Sequence, residues 1–154
     1  AYTPPWSKGN VDEIRSMRAR LEETVPATNL KRGRGGLVDI EFTVQVLQLR
    51  HAHDDTSLRQ ANTLDAITAL SQAGHLSKKD AAFFEESYCF LRTMEARLQL
   101  MQTPTPSELP GDESEREKLA RVLGLDGEEA LCERFSHYTG ENRKRFEGIV
   151  DAIR

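Results

Sequence analysis

Cysteine is scarce in this sequence. Cys89 and Cys132 are the only two among 154 residues, and they stand far apart with no Cys-x-x-Cys pair. That spacing argues against a secreted disulfide scaffold and against a zinc ribbon, and a reducing, cytoplasmic setting is expected. Long apolar runs are missing too: nothing approaches the roughly 20 residues that cross a bilayer, so no membrane partner is expected. No stretch alternates apolar and polar residues between turn signals, which removes the usual signature of strands. Cations do not predominate, since 21 Lys and Arg face 25 Asp and Glu for a net charge of −4, and an acidic whole is a poor ligand for nucleic acid. Neither phosphate-binding fingerprint, Gly-x-x-x-x-Gly-Lys-Ser/Thr or Gly-x-Gly-x-x-Gly, occurs.

What remains is helical. Charged residues make up 30% of the chain and hydrophobic ones 38%, a balance that suits helices with one apolar stripe and a broad wet face. The spacing predicts a helix from about Val11 to Val25, with Asn10 and Glu13 placed as a capping box and Pro26 beyond its end. Leu37, Ile40, Val44 and Leu47 then recur at helical intervals, as do Leu64, Ile67 and Leu70 ahead of Gly74. Ser77 and Asp80 mark the start of the longest helix, lined by Phe84, Tyr88, Leu91, Met94, Leu98 and Met101. Three of the six prolines fall between Thr103 and Gly111, where a surface loop is expected. Asp112 with Glu115, and Asp126 with Glu129, are placed to cap a fifth and a sixth helix. The expectation is an all-α domain, a single bundle of five or six helices with antiparallel neighbours. Residues 29–154 form that helical domain, and residues 1–28 are either its first helix or a linker helix from a preceding domain. A chain opening on Ala1 rather than Met is expected to be a piece of something longer.

One segment stands apart chemically. Lys31-Arg32-Gly33-Arg34-Gly35-Gly36 joins three cations to three glycines just before a helix start. Glycines uncover backbone N–H groups, and with the cations and the first N–H groups of the helix they suit an anion, phosphate above all. The alternative is a solvated loop whose glycines only ease the turn. Asp39 and Glu41 follow. Two apart on a helix, they point away from each other and cannot grip one metal together; they serve either to orient the loop or simply as negative charge at a helix N-terminus. His51 and His53 diverge at a helix end with no third ligand nearby, so no metal site is expected. Cys89 reads as a small core residue, and Arg15, Arg18 and Arg20 with Glu22 and Glu23 read as a solvated helix face.

The run Lys31-x-Gly33-x-Gly35-Gly36-Leu37-Val38-Asp39-Ile40-Glu41-Phe42 resembles the glutamine synthetase adenylyltransferases. Leu49-Arg50-His51-Ala52-His53, Asn62-Thr63-Leu64, Ala73-Gly74-His75-Leu76, Phe90-Leu91-Arg92, Glu95-Ala96-Arg97-Leu98-Gln99 and Asn142-Arg143-x-x-Phe146 follow in that family's order, so the resemblance covers residues 29–150. It implies a helical domain that follows a nucleotidyltransferase domain. In the full-length enzyme one half moves AMP from ATP to a tyrosine of glutamine synthetase and the other removes it, under control of the PII signal protein and glutamine. Val38 stands where the adenylyl-removing half usually carries arginine, which leans towards the C-terminal, adenylylating half. The Gly-Ser and Asp-x-Asp signature of the catalytic domain is not in this chain. Mg²⁺ and ATP are therefore expected to be held mainly by the missing domain, with no cofactor tightly bound here and the isolated chain inactive. Within that frame Lys31, Arg32 and Arg34 would meet nucleotide phosphates, Gly33, Gly35 and Gly36 would let the backbone approach, and Asp39 or Glu41 would orient a cation of the loop or a metal-bound water. Expected partners are the preceding catalytic domain, glutamine synthetase and PII. The competing assignments are the helical domain of a PII uridylyltransferase and a docking module without a chemical role.

Overall fold

A computed structural model describes residues 8–153; the first seven residues of the 1–28 segment and Arg154 lie outside the described residues. Six helices follow in order: α1 (Lys8–Glu23), α2 (Leu37–His51), α3 (Thr63–Gln72), α4 (Lys78–Leu100), α5 (Glu113–Val122) and α6 (Glu128–Ala152). A single turn of 3-10 helix at Thr56–Leu58 precedes α3. No strand occurs among the described residues, and one isolated antiparallel bridge, Asn29 to Glu108, joins two loops. The all-α expectation holds, and no described helix is long and apolar enough to cross a membrane.

The apolar spacing of α2 explains why it sits at the centre. Leu37, Ile40, Val44 and Leu47 are all buried, and the helix meets α1, α3, α4 and α6. One core gathers Ile40, Leu47, Ile67, Leu70, Phe84 and Phe146 around it. A second, with Leu30, Leu91, Leu98, Leu119, Leu131 and Phe135, fills the space between α4, α5 and the first half of α6. Helix α1 lies against α2, with Val11 wholly buried in the first core, and its Arg15 and Glu22 pair with Asp151 and Arg143 of α6.

Caps depart from the sequence reading at three ends. Helix α1 is already under way at Lys8, so Asn10 and Glu13 sit inside it rather than at its start. Asp112 precedes α5 but makes no side-chain cap bond. Helix α6 begins behind Gly127, whose φ of 121° favours glycine, instead of at Asp126; its Glu128 N–H is satisfied at 2.9 Å by the Glu117 carboxylate. A side chain from the neighbouring helix has taken over a task that local sequence would assign to Asp126. Ser77 does cap α4, accepting from Asp80 N–H at 3.0 Å, and Asn62 caps α3 in the same way at 3.1 Å.

Candidate functional site

The glycine-rich loop between α1 and α2 is a tightly bonded piece of backbone. Asn29 Oδ1 accepts from the N–H groups of Lys31 and Arg32 at 3.0 and 2.9 Å. Gly33 N–H reaches Asn29 O, and Gly36 N–H reaches Gly33 O. The first N–H groups of α2 are occupied as well, Leu37 by Leu30 O, Val38 by Lys31 O and Asp39 by Gly36 O, each near 3 Å. From the far side, Leu30 N–H donates to Ser107 O at 2.6 Å and Leu109 N–H to Thr28 O at 2.9 Å, so the proline-rich loop braces this one. Gly33, Gly35 and Gly36 are buried, while the side chains of Lys31, Arg32 and Arg34 are exposed. The loop thus offers cations to its surroundings, and its glycine N–H groups are spent on holding its own shape.

Asp39 is the reason the shape persists. It is fully buried, and its Oδ2 accepts from Gly35 N–H at 2.7 Å. Arg143 of α6 donates to the same carboxylate through Nε at 2.8 Å and Nη2 at 3.3 Å. Arg18 of α1 completes the set, donating through Nε to Asp39 Oδ1 and through Nη2 to Gly33 O at 2.8 Å. Glu22 lends Arg143 a second acceptor. Asn142, one residue before Arg143, donates to Gly35 O at 2.9 Å and Ser87 Oγ at 2.7 Å. Three helices therefore converge on one carboxylate directly beneath the loop.

Arg18 corrects the sequence reading, for it is 2% exposed and not part of a solvated face. The signal was present: Val11, Ile14, Arg18 and Leu21 are spaced 3, 4 and 3 apart, so the arginine occupies a position of the inward stripe. A cation in such a stripe needs a buried anion, and only Asp39 of the two loop-proximal carboxylates is placed to supply one. Asn142 and Arg143 were visible only as part of a motif with no role attached. Cys89 also differs from expectation, being exposed on α4 instead of in the core.

Glu41 points the other way, as a spacing of two on a helix requires. It lies half-buried near Lys31 of the loop and near Arg92 and Glu95 of α4. Burial pushes its carboxyl above the ordinary value of 4.5; Arg92 and Lys31 pull it back, and Glu95 pushes it further up. The folded chain therefore holds this proton more tightly than the unfolded chain does. Glu41 costs stability at neutral pH, and the cost fades as pH falls through its raised value towards 4.5. Glu41→Gln is expected to raise the urea midpoint at pH 7, and the gain should vanish below about pH 4. Equal midpoints at neutral pH would show that the neighbouring cations fully compensate the burial.

The carboxylates here do not suit Mg²⁺. Both Asp39 oxygens are covered by arginine and backbone donors, and no group of three His, Cys, Asp or Glu side chains among the described residues is arranged to hold a metal ion. His51 stacks flat on His75, ring centroids 3.6 Å apart, and His53 is exposed on its own.

A family model described as GlnD PII-uridylyltransferase matches residues 8–153, which includes all six helices. The chain belongs to this family. Among curated proteins it is similar to the bifunctional glutamine synthetase adenylyltransferase/adenylyl-removing enzyme of Streptomyces coelicolor, 45% identical over 119 residues, which is 75% of this chain and 12% of that protein. The enzyme of the same name from Mycobacterium tuberculosis strain H37Rv is 49% identical over 109 residues, 68% of this chain and 11% of the relative. That from Streptomyces avermitilis is 42% identical over 119 residues, again 75% and 12%. The resemblance to glutamine synthetase adenylyltransferases drawn from the motifs is borne out by these relatives. The chain spans about an eighth of their length.

Proposed function

We propose that this GlnD-family chain is the helical domain that follows a nucleotidyltransferase domain in an enzyme moving AMP between ATP and glutamine synthetase. It belongs on this reading to the C-terminal, adenylylating half. The observation that carries its role is the loop: Lys31, Arg32 and Arg34 are held outward on a backbone fixed from below by buried Asp39. A cation on a rigid mount spends little entropy when it meets a phosphate, and each such charge-assisted contact is among the stronger hydrogen bonds proteins make. The side chains provide the contact, and the glycines provide a frame compact enough to bring it close to a neighbouring active site. Mg²⁺ and ATP sit in the preceding domain, and PII acts on the whole enzyme.

The test is Arg34→Ala in the full-length parent enzyme. AMP transfer to glutamine synthetase should lose about tenfold in kcat/KM for ATP, the worth of one charge-assisted contact, while the thermal midpoint stays put because Arg34 is exposed. Unchanged kinetics would reject a role for the loop in the nucleotide site and leave a docking surface for glutamine synthetase or PII.

The name of the family model supports a second reading, transfer of UMP to PII. Identity of 42–49% to adenylyltransferases makes it the lesser one. Offering the parent enzyme ATP or UTP, with glutamine synthetase or PII as acceptor, separates the two.

A further inference from the structure

Beside the loop stands a buried carboxylate that the reading above does not use. Glu95 of α4 has a side chain only 6% exposed, yet it faces two cations. Lys31 Nζ lies 3.3 Å from its Oε2, and Arg92 Nη1 lies 3.3 Å from its Oε1. Ser107 of the proline-rich loop donates its hydroxyl to Oε2 at 3.4 Å. The two cations keep much of their surface in water, 47% for the Lys31 side chain and 55% for Arg92. Each gives one donor to Glu95 and retains others, since an ammonium carries three N–H groups and a guanidinium five. Glu95 therefore ties down two half-exposed cations at the rim of the loop, one on each of its carboxylate oxygens.

We propose that Lys31 and Arg92 form a paired seat for one phosphate group, with Glu95 as the residue that positions them. This deepens the phosphate reading of the loop and rests on it, and it adds Arg92, from a different helix, to the cations of the site. Lys31 and Arg92 compensate the buried Glu95 carboxylate, and because each is half-exposed and spends only one donor on it, both keep donors that a ligand can reach. Glu41, the other carboxylate near the pair, makes no hydrogen bond to either cation and acts on them only through its charge.

That difference between the two glutamates yields a test in which charge and positioning predict opposite signs. Inorganic pyrophosphate is titrated into this chain at fixed ionic strength, with backbone amide shifts of Lys31, Arg92 and Ser107 as the readout. Arg92→Gln should weaken binding about three- to fivefold, the scale of one exposed charge contact. Lys79→Gln, which removes an exposed cation of the same helix roughly 20 Å away along its axis, should leave it unchanged. Glu41→Gln removes a negative charge and should tighten binding. Glu95→Gln also removes a negative charge but should weaken binding, because Lys31 and Arg92 lose their common anchor. Binding by Glu95→Gln as tight as wild type or tighter would overturn the positioning role. An Arg92→Gln titration matching Lys79→Gln would overturn the pair, and this variant decides the matter even if Glu95→Gln unfolds. Either result leaves Arg32 and Arg34 and the wider reading standing. Absence of any pyrophosphate binding by the wild-type chain would bring down both.

Discussion

Asp39→Asn is expected to destabilise the domain by about 3–5 kcal/mol, a large share of the 5–15 kcal/mol that holds a domain of this size together. The argument rests on what the substitution leaves behind. Arg18 and Arg143 both remain buried, and the amide that replaces the carboxylate presents an NH₂ donor towards two guanidinium groups that are themselves donors only. Glu22 still serves Arg143, but Arg18 retains only the carbonyl of Gly33. A buried charge stripped of its partner costs far more than an exposed pair ever contributes, and salt does not relieve it because solvent ions cannot reach the site. Urea unfolding of wild type and variant in low and high salt checks both points. The stability loss should persist at high salt, because the guanidinium left without its carboxylate is out of reach of solvent ions. A loss under 1 kcal/mol would mean that the three helices do not depend on this carboxylate.

The same residue shows how far the sequence carried. Helices were legible wherever apolar residues recurred at intervals of three and four, because burying a stripe dictates that spacing: α2, α3 and α4 follow it closely. Helix ends were less so. A neighbouring helix can satisfy an orphan N–H, as Glu117 does for Glu128, and no local pattern announces it. In the candidate site the cations of the loop and the divergence of Asp39 from Glu41 could be read from spacing alone. That the loop's own N–H groups are consumed could not, because their acceptors include Asn29 Oδ1 and Asp39, whose placement depends on Ser107, Arg18 and Arg143 from distant parts of the chain. Arg18 lies between these cases. Its stripe position with Val11, Ile14 and Leu21 was on view, but a surface reading of charged residues near Glu22 and Glu23 masked it.

Gly35→Ala should be the most damaging change in the loop, at about 4 kcal/mol or more. Two independent costs add. Gly35 has φ of 75°, where an alanine is strained by roughly 1–2 kcal/mol. A Cβ placed there would lie 1.8 Å from the carbonyl oxygen of Thr139, which is backbone of α6 and cannot rotate aside. Relief requires the loop and α6 to part, and parting them breaks the bonds from Asn142 to Gly35 O and from Arg143 to Asp39. Losses of this size arise only from a few mechanisms, and overpacking against backbone is one of them. Gly74 and Gly140 isolate the terms. Gly74 shares the positive φ, 82°, but an added Cβ there meets nothing within 4 Å, so Gly74→Ala should cost only the strain of about 1 kcal/mol. Gly140 lies inside α6 with open space around it, so Gly140→Ala should stabilise by about 0.5–1 kcal/mol. Thermal or urea unfolding of the three variants should rank them in that order. If Gly35→Ala costs no more than Gly74→Ala, the loop is not clamped against α6, and the cations it carries do not stand on a rigid mount.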